Sequence, residues 1–396
     1  NSEYYAGPYM NDYSSWGSTP DLKLKPDITA HGGEITSTVA GGYAEMSGTS
    51  MATPNLAGFV ALVRSQLKLQ HPDWNNVQLN QRINQLVMST AQVVYDESGL
   101  PYSPRKQGAG LATLDNVFGT KAYLYTLEGV DFGAAEDNRP KIELGEDEAK
   151  NGVYKLKFYV QNFGTETLKF KTKSIFMTES LSQDKNSVAE KAYLMDGSPV
   201  WKINGSPLSS DGIITLGAGE NAAVECTLTL SEEDKRYLNT SFINGMFVEG
   251  FLQLESLTEN QCALTLPFMG FYGDWEAAPM LDFDAYYLAE AEQDTSILEN
   301  AKPKARVWAT QAYASYTNNK YSIPLGSYCF TQDPNAQQIY TDMEHCSVSR
   351  FNVNGEDEDS NSNYMTADSI NALYAGLLRN AELVTYDVID SATGEV

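Results

Sequence analysis

Residues 45–58 read EMSGTSMATPNLAG. Within them, Gly48-Thr49-Ser50-Met51-Ala52-Thr53-Pro54 sets a serine among small residues, directly ahead of an apolar run. Leu56, Phe59, Val60, Val63 and Leu67 follow helical spacing, which predicts a helix over about residues 50–69 with one buried stripe. Pro54 is expected in the first turn, where its missing N–H costs nothing. Ser50 then stands at or just before the helix N-terminus, where free backbone N–H groups and the positive end of the helix dipole are available. Gly48 and Ala52 are small enough to let another backbone approach. A serine hydroxyl is a weak nucleophile unless a base lies within hydrogen-bond reach. It also needs donors aimed at the oxyanion that forms when it attacks a carbonyl. The bland alternative is a plain helix start, with Thr49 or Ser50 serving as N-cap.

The seven residues from Gly48 to Pro54 strongly resemble the nucleophile motif of the subtilisin-like serine peptidases, the subtilases. The resemblance implies an acyl-enzyme mechanism on Ser50. It also implies that the backbone N–H of Ser50 is one oxyanion donor and that an upstream asparagine amide is the other. A G-x-S-x-G elbow of an α/β-hydrolase is the chemical rival, and it needs a strand directly before the serine and an acid and histidine after it. Four more stretches match subtilase landmarks in order: NDYSSWG at 11–17, LKPDITAHGGEITST at 24–38, LVMSTAQ at 86–92 and QGAGLATLDNVFG at 107–119. These imply a KPDI strand, a loop at Gly41-Gly42, the serine helix, a turn at His71-Pro72-Asp73 and a second helix over about 75–90. The apolar face of that second helix is read as Val77, Ile83, Leu86 and Val87.

The chain holds three histidines. His31 occupies the place of the family's usual proline, so it reads as a loop or pocket-rim residue. His71 follows the serine helix, roughly 30 Å from Ser50, and His345 lies far downstream. Neither Asp12 nor Asp27 sits in the family's acid motif, and neither Asn1 nor Asn11 sits in its oxyanion segment. The subtilisin order of acid, histidine, serine therefore places the catalytic aspartate, histidine and oxyanion asparagine outside this chain. Subtilisin itself supplies the scale: losing the serine or the histidine lowers kcat about a millionfold. This polypeptide alone is expected to be inactive.

Downstream of about residue 120 the pattern changes to period-2 alternation: VYKLKFYVQN, TLKFKTKSIF, AAVECTLTL, MFVEGFLQLES and CALTLPFMGFYG. Such runs between Gly, Asn and Ser turns predict an antiparallel β-sandwich. KFYVQNFGTETLKFK reads as two strands joined by a tight turn. LPFMGFYGDWEAAPMLD, at 266–282, resembles the close of the fibronectin type III-like domain of cell-envelope, lactocepin-type subtilases. IPLGSYCFTQDPN and LLRNAELVTYDVIDSATGEV resemble the next segment of the same proteinases.

The fold class expected is therefore multidomain: the C-terminal part of an α/β subtilisin-like domain over 1–120, then all-β sandwiches over 121–275 and 276–396, the last incomplete. The resemblance implies a secreted or cell-wall-associated serine endopeptidase acting on protein or peptide substrates, with surface attachment through parts outside this chain. A non-catalytic extracellular binding or spacer module and a pseudoprotease are the alternatives.

Bulk properties narrow the partners. The chain has 396 residues, 52 Asp and Glu against 27 Lys and Arg, and a net charge of −25. Nucleic acid is disfavoured, because no basic stripe is available for phosphates. No apolar run is long enough to span a bilayer. No cofactor is indicated. The acidic stretch GEDEDSNSN, 355–363, lacks the ligand alternation of an EF-hand, so it reads as a solvated loop, with structural calcium as the alternative. Cys226–Cys262 and Cys329–Cys346 disulfides are conceivable beside free thiols.

Overall fold

The computed structural model describes residues 8–127, 139–183, 188–242 and 244–276, together with the backbone of strands at 312–317, 322–324 and 372–375. Residues 1–275 form one compact unit and 276–396 a second. The first unit opens with a hairpin, β1 (Ile35–Val39) and β2 (Gly42–Met46), paired in antiparallel register from Ile35↔Met46 to Val39↔Gly42. The Gly41-Gly42 stretch is thus the turn and edge of a ribbon and not an open loop.

The serine helix, α1 (Thr49–Gln70), buries Phe59, Val63 and Leu67. These pack on Leu79, Ile83, Leu86 and Val87 of α2 (Asn76–Ser89). A reciprocal capping box starts α2: Asn75 Oδ1 accepts from the Gln78 N–H, and Gln78 Oε1 accepts from the Asn75 N–H, both over 3.0 Å. The apolar face differs at one point from expectation, since Val77 is exposed and Leu79 is buried. Val77 lies in the first turn, before the helix has rotated its stripe onto α1. Two short helices follow, α3 (Pro104–Gln107) and α4 (Leu114–Gly119).

The KPDI segment is not a strand among the described residues. Thr29 alone bridges to Leu111, with Thr29 N–H donating to Gly110 O and Ala112 N–H to Thr29 O, each over 2.9 Å. One bridged residue is too little to make a ladder.

The rest of the unit is a two-sheet sandwich. Its strands are β3 (Ala122–Tyr125), β4 (Ile142–Asp147), β5 (Val153–Asn162), β6 (Leu168–Leu181), β7 (Val188–Leu194), β8 (Ser198–Ile203), β9 (Ser206–Pro207), β10 (Ile213–Leu216), β11 (Asn221–Thr229), β12 (Met246–Ser256) and β13 (Leu264–Tyr272). Helix α5 (Glu232–Ser241) links β11 to β12. One sheet runs β10-β6-β12-β13-β4 with β7 on β6, and the other β3-β5-β11-β8-β9. All pairs are antiparallel except β13 with β4. Alternate residues of β5 and β11 point inward, and Phe158, Val160, Val224 and Leu228 meet Phe170, Leu252, Leu266 and Phe268 in one core.

KFYVQNFGTETLKFK forms two strands joined by a short turn, as read, but the two do not pair with each other as a hairpin. β5 pairs with β3 and β11, whereas β6 pairs with β10, β12 and β7, so the short turn crosses between sheets. Buried Asn162 ties this corner: its amide donates to the carbonyls of Glu166 (2.7 Å) and Gly217 (2.8 Å), and its oxygen accepts from the Gly164 N–H (2.9 Å). Cys226 and Cys262 are free, so the first conceivable disulfide does not form. Burial pushes the Cys226 thiol up to about 12, which makes it inert. The second unit shows β14 (Ala312–Thr317), β15 (Ser322–Pro324) and β16 (Ala372–Ala375) in the order β15-β14-β16. Cys329, Cys346, His345 and the acidic stretch 355–363 lie outside the described residues.

Where the helical segment meets the sandwich, Arg105 of α3 inserts between two carboxylates. Its Nε donates to Glu249 Oε2 over 2.8 Å, and a terminal nitrogen pairs with Glu179. Ser103 Oγ donates to Glu249 over 2.6 Å, and the Phe247 ring lies 4.0 Å beneath the guanidinium.

Candidate active site

Ser50 is the second residue of α1 and is exposed. Gly48 is the N-cap, at φ 151°, a conformation few side chains adopt, and no side chain caps the helix. The bland reading of Thr49 or Ser50 as the capping residue is therefore corrected. A helix that starts at Thr49 also moves Pro54 to its sixth position, beyond the first turn where it was expected. Proline there removes the N–H that would bond the Ser50 carbonyl.

Among the described residues, no side chain hydrogen-bonds the Ser50 hydroxyl. The N–H groups of Thr49 and Ser50 likewise have no acceptor among them, as expected at a helix start. The hydroxyl therefore sits beside free donors at the positive end of a 22-residue helix.

The neighbouring segment is held against this turn. Gly48 N–H donates to Gly32 O over 2.8 Å. A Cβ on Gly32 would lie 2.7 Å from Gly48 O and 3.0 Å from Ala52 Cβ, so only glycine fits there. Tyr13 Oη donates to Gly32 O over 3.0 Å, and Glu34 N–H donates to Ser47 Oγ over 2.8 Å. Thr49 and Ala52, on either side of Ser50, line a cleft of about 780 Å³ with Tyr9, Tyr13, His31 and Glu34.

His31 lies on the cleft rim, as expected, and makes no bond to Ser50. His71 ends α1 and stacks on Trp74 with ring centroids 3.8 Å apart. Asp27 is committed elsewhere, bonded to Lys25 (2.6 Å) and Arg139 (2.8 Å) and 3.3 Å from Lys141. Burial works against its charge, but these cations outweigh that and hold its carboxyl below the usual range. Asn11 lines the cleft, Asp12 is exposed, and Asn1 lies outside the described residues. The sequence reading missed Tyr9, Tyr13 and Glu34. Only the chain's return past residue 32 brings them to the serine turn, and no local pattern signals that.

Residues 4–119 match the subtilase family and residues 142–269 match an Fn3-like domain. The chain thus joins a segment of the subtilase family to an Fn3-like domain. It is 33% identical over 294 residues to the PII-type proteinase of Lacticaseibacillus paracasei, covering 71% of this chain and 14% of that protein. The same figures hold for the PI-type proteinase of Lactococcus lactis subsp. cremoris. The C5a peptidase of Streptococcus pyogenes serotype M1 is 28% identical over 298 residues, covering 73% of this chain and 23% of that protein. The chain thus spans about a seventh of the length of these two proteinases. Among the described residues, no helix is long and apolar enough to cross a membrane.

Proposed function

We infer that Ser50 is the acyl-accepting nucleophile of an extracellular serine endopeptidase acting on protein substrates. The histidine base, the aspartate that orients it and the asparagine oxyanion donor come from polypeptide outside these 396 residues. The observation that carries the reading is the position of Ser50: exposed at the start of α1, beside unbonded N–H groups, with small residues on both sides. The Ser50 N–H supplies one oxyanion donor; such a donor contributes roughly 3 kcal/mol to the transition state. The sandwich braces the serine segment through Arg105, and the domains run 1–120, 121–275 and 276–396. The secreted or cell-wall-associated setting follows the resemblance of residues 266–282 to the lactocepin-type proteinases.

A fluorophosphonate probe tests this reading, because phosphonylation needs an activated hydroxyl and an oxyanion site. The 396-residue chain alone should stay unlabelled. A longer product of the same reading frame, carrying aspartate, histidine and asparagine motifs, should be labelled on Ser50 and lose the label in Ser50→Ala. Peptide hydrolysis by the 396-residue chain, abolished by Ser50→Ala, refutes the dependence on outside residues. A longer product that is never labelled makes the protein a pseudoprotease or a binding module.

A further inference from the structure

At the opposite end of α1 from Ser50, beyond its last residue Gln70, α2 and β3 border an open pocket of about 250 Å³. At 1.5 Å per residue, α1 separates the two places by about 30 Å. Trp74, Gln78, Gln81, Arg82, Gln85 and Tyr123 wall the pocket, and none of them is acidic. This is unusual ground in a chain with 52 carboxylate side chains against 27 basic ones.

Arg82 is its centre. The guanidinium lies 4.0 Å over the Tyr123 ring and 5.4 Å from the Trp74 ring centroid. Its Nε donates to Gln85 Oε1 over 3.2 Å. The two terminal nitrogens have no protein acceptor, and no carboxylate pairs with the cation, among the described residues. Burial lowers the Arg82 pKa, and Tyr123 opposes that only weakly, because burial raises its own phenol and keeps it neutral. A half-buried cation without a counter-ion is costly unless something else compensates it. The surrounding amides are biased the same way. Gln85 Oε1 is taken by Arg82, and Gln78 Oε1 by the Asn75 N–H, so the NH2 groups of both remain as donors.

We propose that this pocket is a carboxylate-binding site, in which the free fork of Arg82 and the amides of Gln78 and Gln85 hold the side-chain or C-terminal carboxylate of a peptide. One planar guanidinium matches one planar monoanion through two parallel hydrogen bonds. A phosphate dianion would leave charge unbalanced against a single cation. The site is separate from the serine cleft and does not depend on the catalytic reading.

Titration of the 396-residue chain, labelled with ¹⁵N at arginine and glutamine side chains, tests it. The probes are N-acetylglutamate α-amide, N-acetylalanine and, as neutral control, N-acetylglutamine α-amide, at constant ionic strength. At least one carboxylate probe should shift the Arg82 Nε and the Gln78 and Gln85 NH2 resonances saturably, while the neutral amide does not. Binding of the first probe alone assigns a side-chain carboxylate, and binding of the second alone a chain terminus. Arg82→Gln should weaken binding about tenfold or more. Gln81→Glu keeps Arg82 and its ring contacts but supplies a competing carboxylate within the wall, and should weaken binding at least as much with the remaining spectrum unchanged. Absence of saturable shifts, equal binding of the neutral amide, or full affinity in a folded Gln81→Glu variant overturns the proposal.

Discussion

Arg105, from the peptidase-like segment, donates through Nε to a carboxylate oxygen of Glu249, in the middle of the sandwich, over 2.8 Å; the two side chains are 8% and 1% exposed. They stand 144 residues apart in sequence. The same guanidinium also holds Glu179, so one cation faces two buried carboxylates across the junction. Two halves with different architectures are thus fastened by a charge cluster that neither contains alone.

Removing the cation should be far worse than removing the cluster. Arg105→Ala leaves Glu179 and Glu249 buried without a counter-charge and should cost about 3–5 kcal/mol. Arg105→Lys should recover little, since a single ammonium does not reproduce the fork that reaches both acids. The triple replacement Arg105→Met, Glu179→Leu, Glu249→Leu should lie much nearer the parent. Urea denaturation of the four proteins gives the ranking, and an Arg105→Ala variant as stable as the parent contradicts it.

Gly110 should tolerate no side chain. At φ +118°, a Cβ there would lie 2.3 Å from the Gln92 carbonyl oxygen. That carbonyl accepts from the Leu111 N–H over 2.8 Å while the Gln92 N–H donates to Leu111 O over 2.9 Å, so neither partner can retreat without breaking the pair. Gly110→Ala should cost roughly 3 kcal/mol or more. A loss below 1 kcal/mol in thermal or urea melts would contradict this close approach.

Ser50→Ala should leave stability unchanged within about 0.5 kcal/mol. The hydroxyl is exposed, caps nothing and bonds nothing among the described residues. A capping serine would instead cost about 1 kcal/mol on the same substitution. The melting curve therefore separates a residue kept for chemistry from one kept for the helix.

What the sequence made legible follows the range of the interactions involved. The serine helix, the helix α2 and the alternating strands β5, β11 and β12 are encoded in spacings of a few residues, and they stand where the patterns put them. The sheet to which a strand belongs is not encoded that way. β5 and β6 look like a hairpin because their turn is short, yet the decisive bonds come from Asn162 to residues 216 and 217, over fifty positions away. The cleft is similar: Ser50 is readable from seven letters, whereas Tyr9, Tyr13 and Glu34 reach it only through the return of the chain past Gly32. Arg105 carried no signal at all, because a charged residue in a short helix gives no sign of burial until both its acids are placed.

The junction should loosen as pH rises from the acidic range towards neutrality. Burial raises the Glu179 carboxyl, Arg105 opposes that and Glu249 reinforces it, and the net position is about 7. An unfolded glutamate titrates near 4.3. Between those values the folded chain holds a proton that the unfolded chain has released. Stability therefore falls as pH rises across this window, and the full penalty is present above the folded value. Glu179→Gln keeps an acceptor for Arg105 and removes the titration. The variant should gain on the parent as pH increases from about 5 to 8, by on the order of 3 kcal/mol at most, and the two curves should run parallel below pH 4. Comparing the pair cancels the opposite trend from Asp27, whose lowered carboxyl loses its contribution as pH falls. Urea midpoints at pH 5, 6, 7 and 8 decide it: a difference that stays flat, or that shrinks with rising pH, means Glu179 is charged throughout and Arg105 satisfies both acids unaided.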